Sequence, residues 1–212
     1  MKVGILGSGV VGQTLGKKFI ELGHEVIVGT RSPEKLADWA AETGGQTGTF
    51  ANAAAFGEVI VVATLWAGGA TESAIQLANP ENFAGKVVID TTNPLDFSTG
   101  VPRLGVGHTD SAGEAVQRAL PDAKVVKALN CVAASTMVNP AVSGGEPDMF
   151  IAGNDADAKQ QVGHILQEFG WKGVVDLGGI EASRYLEPLV MIWVIYWQQS
   201  NKMSHALKLV RE

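Results

Sequence analysis

The chain has 212 residues and a single cysteine, with 46% hydrophobic and 18% charged residues and a formal net charge of −6. This composition predicts a globular chain of one domain or one and a half, not a disordered one. The acidic balance argues against a nucleic-acid partner, because phosphate backbones are bound by basic surfaces. Cys131 alone cannot form an internal disulfide, and the most apolar run, Leu189–Trp197, is too short to span a bilayer. We therefore expect a cytoplasmic protein without membrane contact.

Short apolar runs alternate with helical patterns along nearly the whole chain. Runs that are apolar throughout are typical of strands in a parallel sheet with helices on both faces. They lie at Val3–Leu6, Glu25–Val28, Val59–Ala63, Val87–Asp90, Val125–Ala128, Met149–Ala152 and Gly173–Asp176, with a weaker edge strand at Gln46–Thr49. The alternation predicts a Rossmann-type doubly wound α/β fold, with a mostly parallel sheet and a small C-terminal helical part.

Two helices have recognisable boundaries. Ser111 with Glu114 forms a capping-box pattern at the start of the first. Asn154 or Asp155 caps the second, and Gly170 marks its end. The buried stripe of that second helix is predicted to be Ala158, Val162, Ile165 and Phe169.

A glycine-rich loop directly follows the first predicted strand. It reads Gly7-Ser8-Gly9-Val10-Val11-Gly12 and opens an amphipathic helix, which is the context that a dinucleotide-binding loop requires. Gly7 permits the tight turn, Gly9 lets the backbone approach a pyrophosphate, and Gly12 allows close packing of helix on strand. The start of the helix then offers free N–H groups to the phosphates. The alternative is a glycine-rich turn without a ligand.

The end of the second predicted strand indicates which dinucleotide binds. A site for NAD usually has Asp or Glu there to accept hydrogen bonds from the ribose, but this chain has Gly29-Thr30-Arg31-Ser32-Pro33-Glu34-Lys35. Arg31 can stack on adenine and contact a 2′-phosphate, while Thr30 and Ser32 offer hydroxyl groups. Ser32 followed by a proline also looks like a helix N-cap, and Lys35 adds charge one turn further on. The segment predicts NADP(H); the alternative is an ordinary capped helix with solvated charges.

Polar and aromatic residues follow the next strands, at Thr64-Leu65-Trp66, Thr91-Thr92-Asn93-Pro94 and Asn130-Cys131. Ligands of open α/β sheets lie outside the carboxyl ends of the strands. We therefore expect Thr64, Leu65, Trp66, Asn93 and Asn130 to surround the nicotinamide. The pattern shows no metal-ligand cluster and no acid–base pair, so no catalytic side chain and no metal are predicted, and Cys131 is interpreted as a packing residue. Hydride transfer to a flavin-like ring needs stacking more than protein acid–base chemistry.

These motifs together resemble the deazaflavin (coenzyme F420)-dependent NADP reductases. The resemblance spans essentially the whole chain and rests on the runs Gly7–Gly12, Gly29–Arg31, Thr64–Trp66, Asp90–Pro94, Val125–Asn130 and Ile180–Leu189. The chain is also similar to the nucleotide domain of the membrane-bound ferric and cupric reductases. The resemblance implies that Ser8, Val10 and Val11 lie in the phosphate loop, that Thr30 and Arg31 hold the 2′-phosphate, and that the deazaflavin stacks on the nicotinamide.

Asn130 is a departure that leaves the acceptor open. Deazaflavin-specific members carry His at this position, whereas the metal-reductase relatives carry Asn. Coenzyme F420 or a flavin is the expected small-molecule co-substrate. A quinone-like acceptor, an imine, a ketone or a metal chelate are alternatives, and so is a non-catalytic protein that senses NADP.

The C-terminal region is predicted to contain one long apolar helix. Five residues share one of its faces: Leu186, Leu189, Val190, Trp193 and Trp197. Pro188 either kinks this helix or marks its start. We divide the chain into a nucleotide-binding domain, residues 1–130, and a smaller domain, residues 131–212, that completes an acceptor cleft. The surplus apolar surface of the helix, together with the resemblance, predicts a homodimer.

Overall fold

The computed structural model describes residues 1–210, which form an α/β fold around one eight-stranded sheet. The strands are β1 (Lys2–Leu6), β2 (Glu25–Gly29), β3 (Gln46–Gly48), β4 (Val59–Val62), β5 (Val87–Asp90), β6 (Leu95–Asp96), β7 (Arg103–Leu104), β8 (Lys124–Lys127), β9 (Asp148–Gly153) and β10 (Gly173–Asp176). The helices are α1 (Val10–Glu21), α2 (Ala37–Thr43), α3 (Phe50–Phe56), α4 (Ala70–Leu77), α5 (Ala112–Ala119), α6 (Ala134–Val138), α7 (Ala156–Glu168) and α8 (Ser183–Ser200). Every strand predicted from the sequence is present, which confirms the fold class.

The strand order places a crevice in the middle of the sheet. The order is β10-β9-β8-β5-β4-β1-β2-β3, and β6 pairs with β7 in a separate hairpin. All neighbours in the large sheet are parallel except β8 and β9. The chain runs from β1 outward to β3 and then returns to β4 on the other side of β1. The order therefore reverses between β1 and β4, where dinucleotides bind in folds of this kind.

Helices cover both faces of the sheet, as its continuous apolar strands predict. One face packs against α1, α2, α6 and α7, with Phe19, Trp39 and Val162 in its core. The opposite face packs against α3, α4 and α5, around Ile75 and Val116. Since alternate residues of each strand enter the two cores, both faces of the central strands are dry.

The predicted helix starts are confirmed, although two of their caps are incomplete. The Ser111 side chain caps α5 and accepts from the Glu114 N–H, while Asp155 caps α7 in the same way. The Glu114 carboxylate, however, accepts from the Ser111 hydroxyl and from Arg184, so the capping pattern is only half formed. Ser32 occupies the predicted N-cap position with Pro33 after it, but its side chain makes no capping bond, and Pro33–Leu36 is a 3-10 turn that leads directly into α2.

The C-terminal segment packs on the edge of the sheet formed by β8, β9 and β10. Helix α8 begins at Ser183 and continues through Pro188, so the alternative that Pro188 marks its start is wrong. The chain after α8 returns to β9, where the Asp148 N–H donates to the carbonyl of Leu207. Within residues 1–210, no helix has the length and apolarity needed to cross a bilayer.

The exposed face of α8 bears on the predicted assembly. Val190 and Val194 are buried, whereas Ile192, Ile195 and Tyr196 lie exposed on the other side of the helix. The homodimer stays a prediction, and so does the division of the chain at residue 130. The sheet itself continues across that boundary, since β9 and β10 extend it.

Candidate functional site

The loop after β1 is shaped by two glycines that have no room for a side chain. Gly7 has a φ of 121°, and a Cβ there would overlap the carbonyl of Ala63 at the end of β4. A Cβ on Gly12 would overlap the carbonyl oxygen of Gly7. The Gly7 N–H donates to the Gly29 carbonyl, which holds the loop against the end of β2. The loop therefore turns tightly and brings the first turn of α1 onto it.

Gly9 differs from these two glycines, because it opens onto empty space. A Cβ on Gly9 would have no atom within 4 Å, and Gly9 and Val10 are exposed. The first N–H groups of any α-helix lack an intrahelical acceptor. Gly9 is the N-cap of α1 and has no side chain that could accept from them. Gln13 secures the loop by donating to the Ser8 carbonyl at 2.7 Å. This cradle of free N–H groups fits a dinucleotide pyrophosphate.

A second loop, Thr30–Lys35, lies beside the first. The Ser8 hydroxyl donates to Thr30 Oγ1 at 3.0 Å, and the Ser32 N–H approaches the same oxygen at 3.4 Å. Thr30 is buried, so its hydroxyl joins the two loops from inside. Arg31 and Lys35 are exposed, and neither forms an ion pair with any residue in 1–210. Arg31 and Lys35 are thus exposed cations without an ion-pair partner in the loop that Thr30 joins to the phosphate loop.

The segment after β4 presents apolar surface at the crevice. Thr64 donates to the Thr71 hydroxyl at 2.9 Å, and Thr71 in turn donates to the Leu65 carbonyl at 3.0 Å. These bonds hold the backbone of the segment while the Leu65 side chain is 80% exposed. Trp66 is half-buried and packs on the core cluster below α4.

Asn93 and Asn130 interlock at the ends of β5 and β8. Asn93 donates through Nδ2 to the Asn130 carbonyl at 2.6 Å, and Asn130 donates through Nδ2 to Asn93 Oδ1 at 3.0 Å and to the Leu186 carbonyl at 3.1 Å. Backbone carbonyls only accept, so both amide orientations are fixed. The Asn130 Oδ1 and Thr92 Oγ1 atoms are enclosed and have no partner within the described residues. Leu129, just before Asn130, has a φ of 64°, a strained conformation of the kind that clusters at functional sites.

Sequence reasoning gave no role to Lys127, which lies at the same edge. It is fully buried between Asp90 and Glu187, at 2.8 and 2.9 Å. The sequence does contain one signal for such a role, because Lys127 is the only charged residue in the predicted strand Val125–Ala128. Cys131 is buried as expected, and burial raises the pKa of its thiol to about 11. Neither side chain presents a transferable proton to the crevice.

Comparison with known proteins identifies the family. Residues 2–94 match the sequence profile described as NADP oxidoreductase, coenzyme F420-dependent. A solved structure from Arthrobacter sp. FB24, provisionally described as an F420-dependent NADP reductase, has a TM-score of 0.94 and 41% identity, and each chain covers 100% of the other. The chain belongs to the coenzyme F420-dependent NADP oxidoreductase family. It is an NADP-dependent oxidoreductase.

Two curated relatives place the chain within its wider group. The F420-dependent NADP reductase of Methanothermobacter thermautotrophicus is 28% identical, and the match covers 92% of this chain and 88% of that protein. The rat metalloreductase STEAP3 is 27% identical over 97% of this chain, which spans 40% of the metalloreductase. The matched residues 2–94 include the phosphate loop and the Arg31 segment of this chain and end before Asn130.

Proposed function

We propose that this oxidoreductase binds NADPH across the carboxyl ends of its parallel strands and passes a hydride to the stacked ring of coenzyme F420 or of a flavin-type acceptor. One observation carries the proposal. The buried Lys127 ammonium has all three hydrogens on protein oxygens, and the Asn130 amide has both of its hydrogens on protein oxygens, while Asn93 uses one of its two. None of these three side chains is therefore free to give up a proton at the strand ends, where Leu65 exposes apolar surface. Hydride transfer between rings fits such a site, because it depends on alignment more than on protein acid–base chemistry.

Each loop has a distinct part in this proposal. NADPH supplies the hydride when it is bound. The N–H groups from Gly9 onward bind its pyrophosphate, and Arg31 with Lys35 binds its 2′-phosphate. Leu65 and Trp66 present apolar surface that excludes water and supports stacked rings. The acceptor ring takes the hydride, and the accompanying proton comes from solvent.

Reduction of a metal chelate is the second candidate, and the metalloreductase relative favours it. That relative matches 97% of this chain, including the segment with Asn130. Imines and ketones are less suited to the site, because their reduction usually needs a proton donor beside the substrate.

The deciding experiment mixes the NADPH-loaded protein anaerobically with coenzyme F420, FMN, FAD, a ferric chelate and a cyclic imine in separate stopped-flow runs. We expect F420 or a flavin to oxidise NADPH fastest. A faster reaction with the ferric chelate would move the assignment to the second candidate. Tight NADPH binding without transfer to any acceptor would favour an NADP-sensing protein.

Isotope labelling tests whether the rings react directly. NADPH carrying deuterium on one face of the nicotinamide should deliver that deuterium to the acceptor ring, while the opposite label stays on NADP. Loss of the label to solvent would contradict direct transfer. The matched control is Gly12→Ala, in which the phosphate loop must shift and transfer should disappear with NADPH binding.

A further inference from the structure

Lys127 is fully buried at the carboxyl end of β8, in register with Asp90 at the end of β5. Its ammonium donates to Asp90 Oδ2 at 2.8 Å, to the Thr92 carbonyl at 2.7 Å and to Glu187 Oε1 at 2.9 Å. An ammonium has three hydrogens, so all of them are used. We call Lys127, Asp90 and Glu187 the buried charge cluster.

Each carboxylate of the buried charge cluster has further backbone donors. Asp90 Oδ1 accepts from the Thr92 N–H at 2.9 Å. Glu187 accepts from the N–H groups of Ala112 and Gly113, at 3.0 and 2.9 Å, in the first turn of α5. Burial alone would lower the pKa of Lys127, but the carboxylates of Asp90 and Glu187 outweigh it and raise this pKa. Lys127 therefore stays charged, and the cluster joins β5, β8, α5 and α8.

A second set of hydrogen bonds, next to the buried charge cluster, joins the same strand ends to α8. Lys127 holds the peptide at Thr92, the residue before Asn93, and Asn93 interlocks with Asn130. Asn130 then donates to the Leu186 carbonyl, one residue before Glu187. Two neighbouring residues of α8 are thus tied to two neighbouring strand ends. This closed ring of hydrogen bonds fixes where the Asn93 and Asn130 amides sit.

The position of the ring indicates which half of the cofactor it affects. A dinucleotide lies across the switch point, with its two halves on either side of it. The predicted 2′-phosphate loop follows β2, on one side of the switch between β1 and β4. The nicotinamide half therefore falls over β4, β5 and β8, where the ring lies. Stability alone does not require charges here, because apolar residues of similar volume often replace a buried ion pair without loss.

We propose that Lys127 is a positioning residue for the nicotinamide end of the cleft. Through Thr92 and Glu187 it sets the Asn93 and Asn130 amides against α8, and it touches neither cofactor nor acceptor. This inference rests on the proposed NADPH site but not on the identity of the acceptor.

The test removes the charges together, since Lys127→Met alone would leave two buried carboxylates unpaired. The variant combines Asp90→Asn, Lys127→Met and Glu187→Gln, and Glu187→Gln alone is the milder second variant. Lys159→Met is the matched control. Lys159 also binds a carboxylate and a carbonyl, those of Asp176 and Gly178. It does so at the carboxyl end of β10, which lies at the opposite end of the strands from the cluster, because β9 and β10 run antiparallel to β8.

Binding of 2′,5′-ADP and of NADPH distinguishes the adenosine half of the site from the nicotinamide half. We expect both cluster variants to bind 2′,5′-ADP within about twofold of the wild type, because that ligand lacks the nicotinamide. NADPH affinity in the triple variant should fall on the order of tenfold, as expected when one or two hydrogen bonds at one end are lost. The fluorescence of the bound nicotinamide should change in both variants, and Lys159→Met should alter neither ligand.

Equal weakening of both ligands would mean that the cluster acts on overall folding and would overturn the proposal. Unchanged NADPH affinity and fluorescence in the milder variant and in a folded triple variant would also overturn it. A wild-type protein that binds 2′,5′-ADP and NADPH nowhere would instead reject the proposed function.

Discussion

Reversal of the charge at position 31 by Arg31→Glu should give equal affinity for NADPH and NADH or a preference for NADH, in place of the expected preference for NADPH. Arg31 is exposed and unpaired within residues 1–210, so the proposed contact with a 2′-phosphate would be screened by solvent. A charge-assisted contact of this kind contributes about 1–3 kcal/mol, which corresponds to a Kd raised roughly 5- to 150-fold in Arg31→Glu. NADH lacks this phosphate, and a carboxylate can accept hydrogen bonds from its ribose, so its Kd should stay level or fall.

The assay is a fluorescence titration of both cofactors at low and high salt. Higher salt should reduce the difference in NADPH Kd between the wild type and Arg31→Glu, because exposed charges are screened. Lys2→Glu is the control, with the same change in net charge at the amino end of β1, away from the crevice. An equal loss for NADPH and NADH, or no loss for NADPH, would refute the assignment of Arg31.

Three further outcomes follow from local contacts. Gly12→Ala should lower the melting temperature and abolish NADPH binding, since its Cβ would overlap the Gly7 carbonyl. An NADPH affinity equal to that of the wild type in calorimetric titration would contradict this. Cys131, with its thiol pKa raised by burial to about 11, should react with a thiol reagent only as the protein unfolds, and fast labelling of the native protein would be evidence against it. The hydrogen bond from Arg184 lowers the pKa of Glu114, so its carboxylate stabilises the fold fully above about pH 5 and loses that effect as the pH falls through the folded-state pKa. Urea melts should therefore show a steeper acid loss in wild type than in Glu114→Gln.

The strands were predictable because each central one is buried on both faces. Runs such as Val59–Val62 are apolar without alternation, which a parallel sheet between two helical layers requires. The direction of β9 was not predictable in this way. Its composition resembles that of its neighbours, and its antiparallel pairing with β8 depends on how α6 and the following loop return the chain. The run Ser32-Pro33 does mark a helix start, but the pattern did not reveal that the first four residues form a 3-10 turn or that the Ser32 side chain makes no cap bond.

The candidate site was predictable where its residues are close in sequence. The phosphate loop and the Arg31 segment each follow one strand, so the spacing of a few residues defines them. The buried charge cluster combines positions 90, 127 and 187, which no local pattern connects. The register of β5 and β8 brings the first two together, and the third arrives with α8. Sequence periodicity indicates which residues are buried, but it does not indicate which buried charged side chains contact one another.

The hydroxyl contact between Ser8 and Thr30 has a consequence for cofactor engineering. It joins the loop that we propose to select the phosphorylated ribose to the loop that we propose to hold the pyrophosphate, so a change in one should move the other. Exchange of Thr30 for an acidic residue, the usual route toward NADH, would put a charge on this buried side chain beside Ser8 and should disturb the adjoining glycine loop as well. A switch of coenzyme in this scaffold is therefore best made at the exposed Arg31 and Lys35, with the Ser8–Thr30 hydrogen bond left intact.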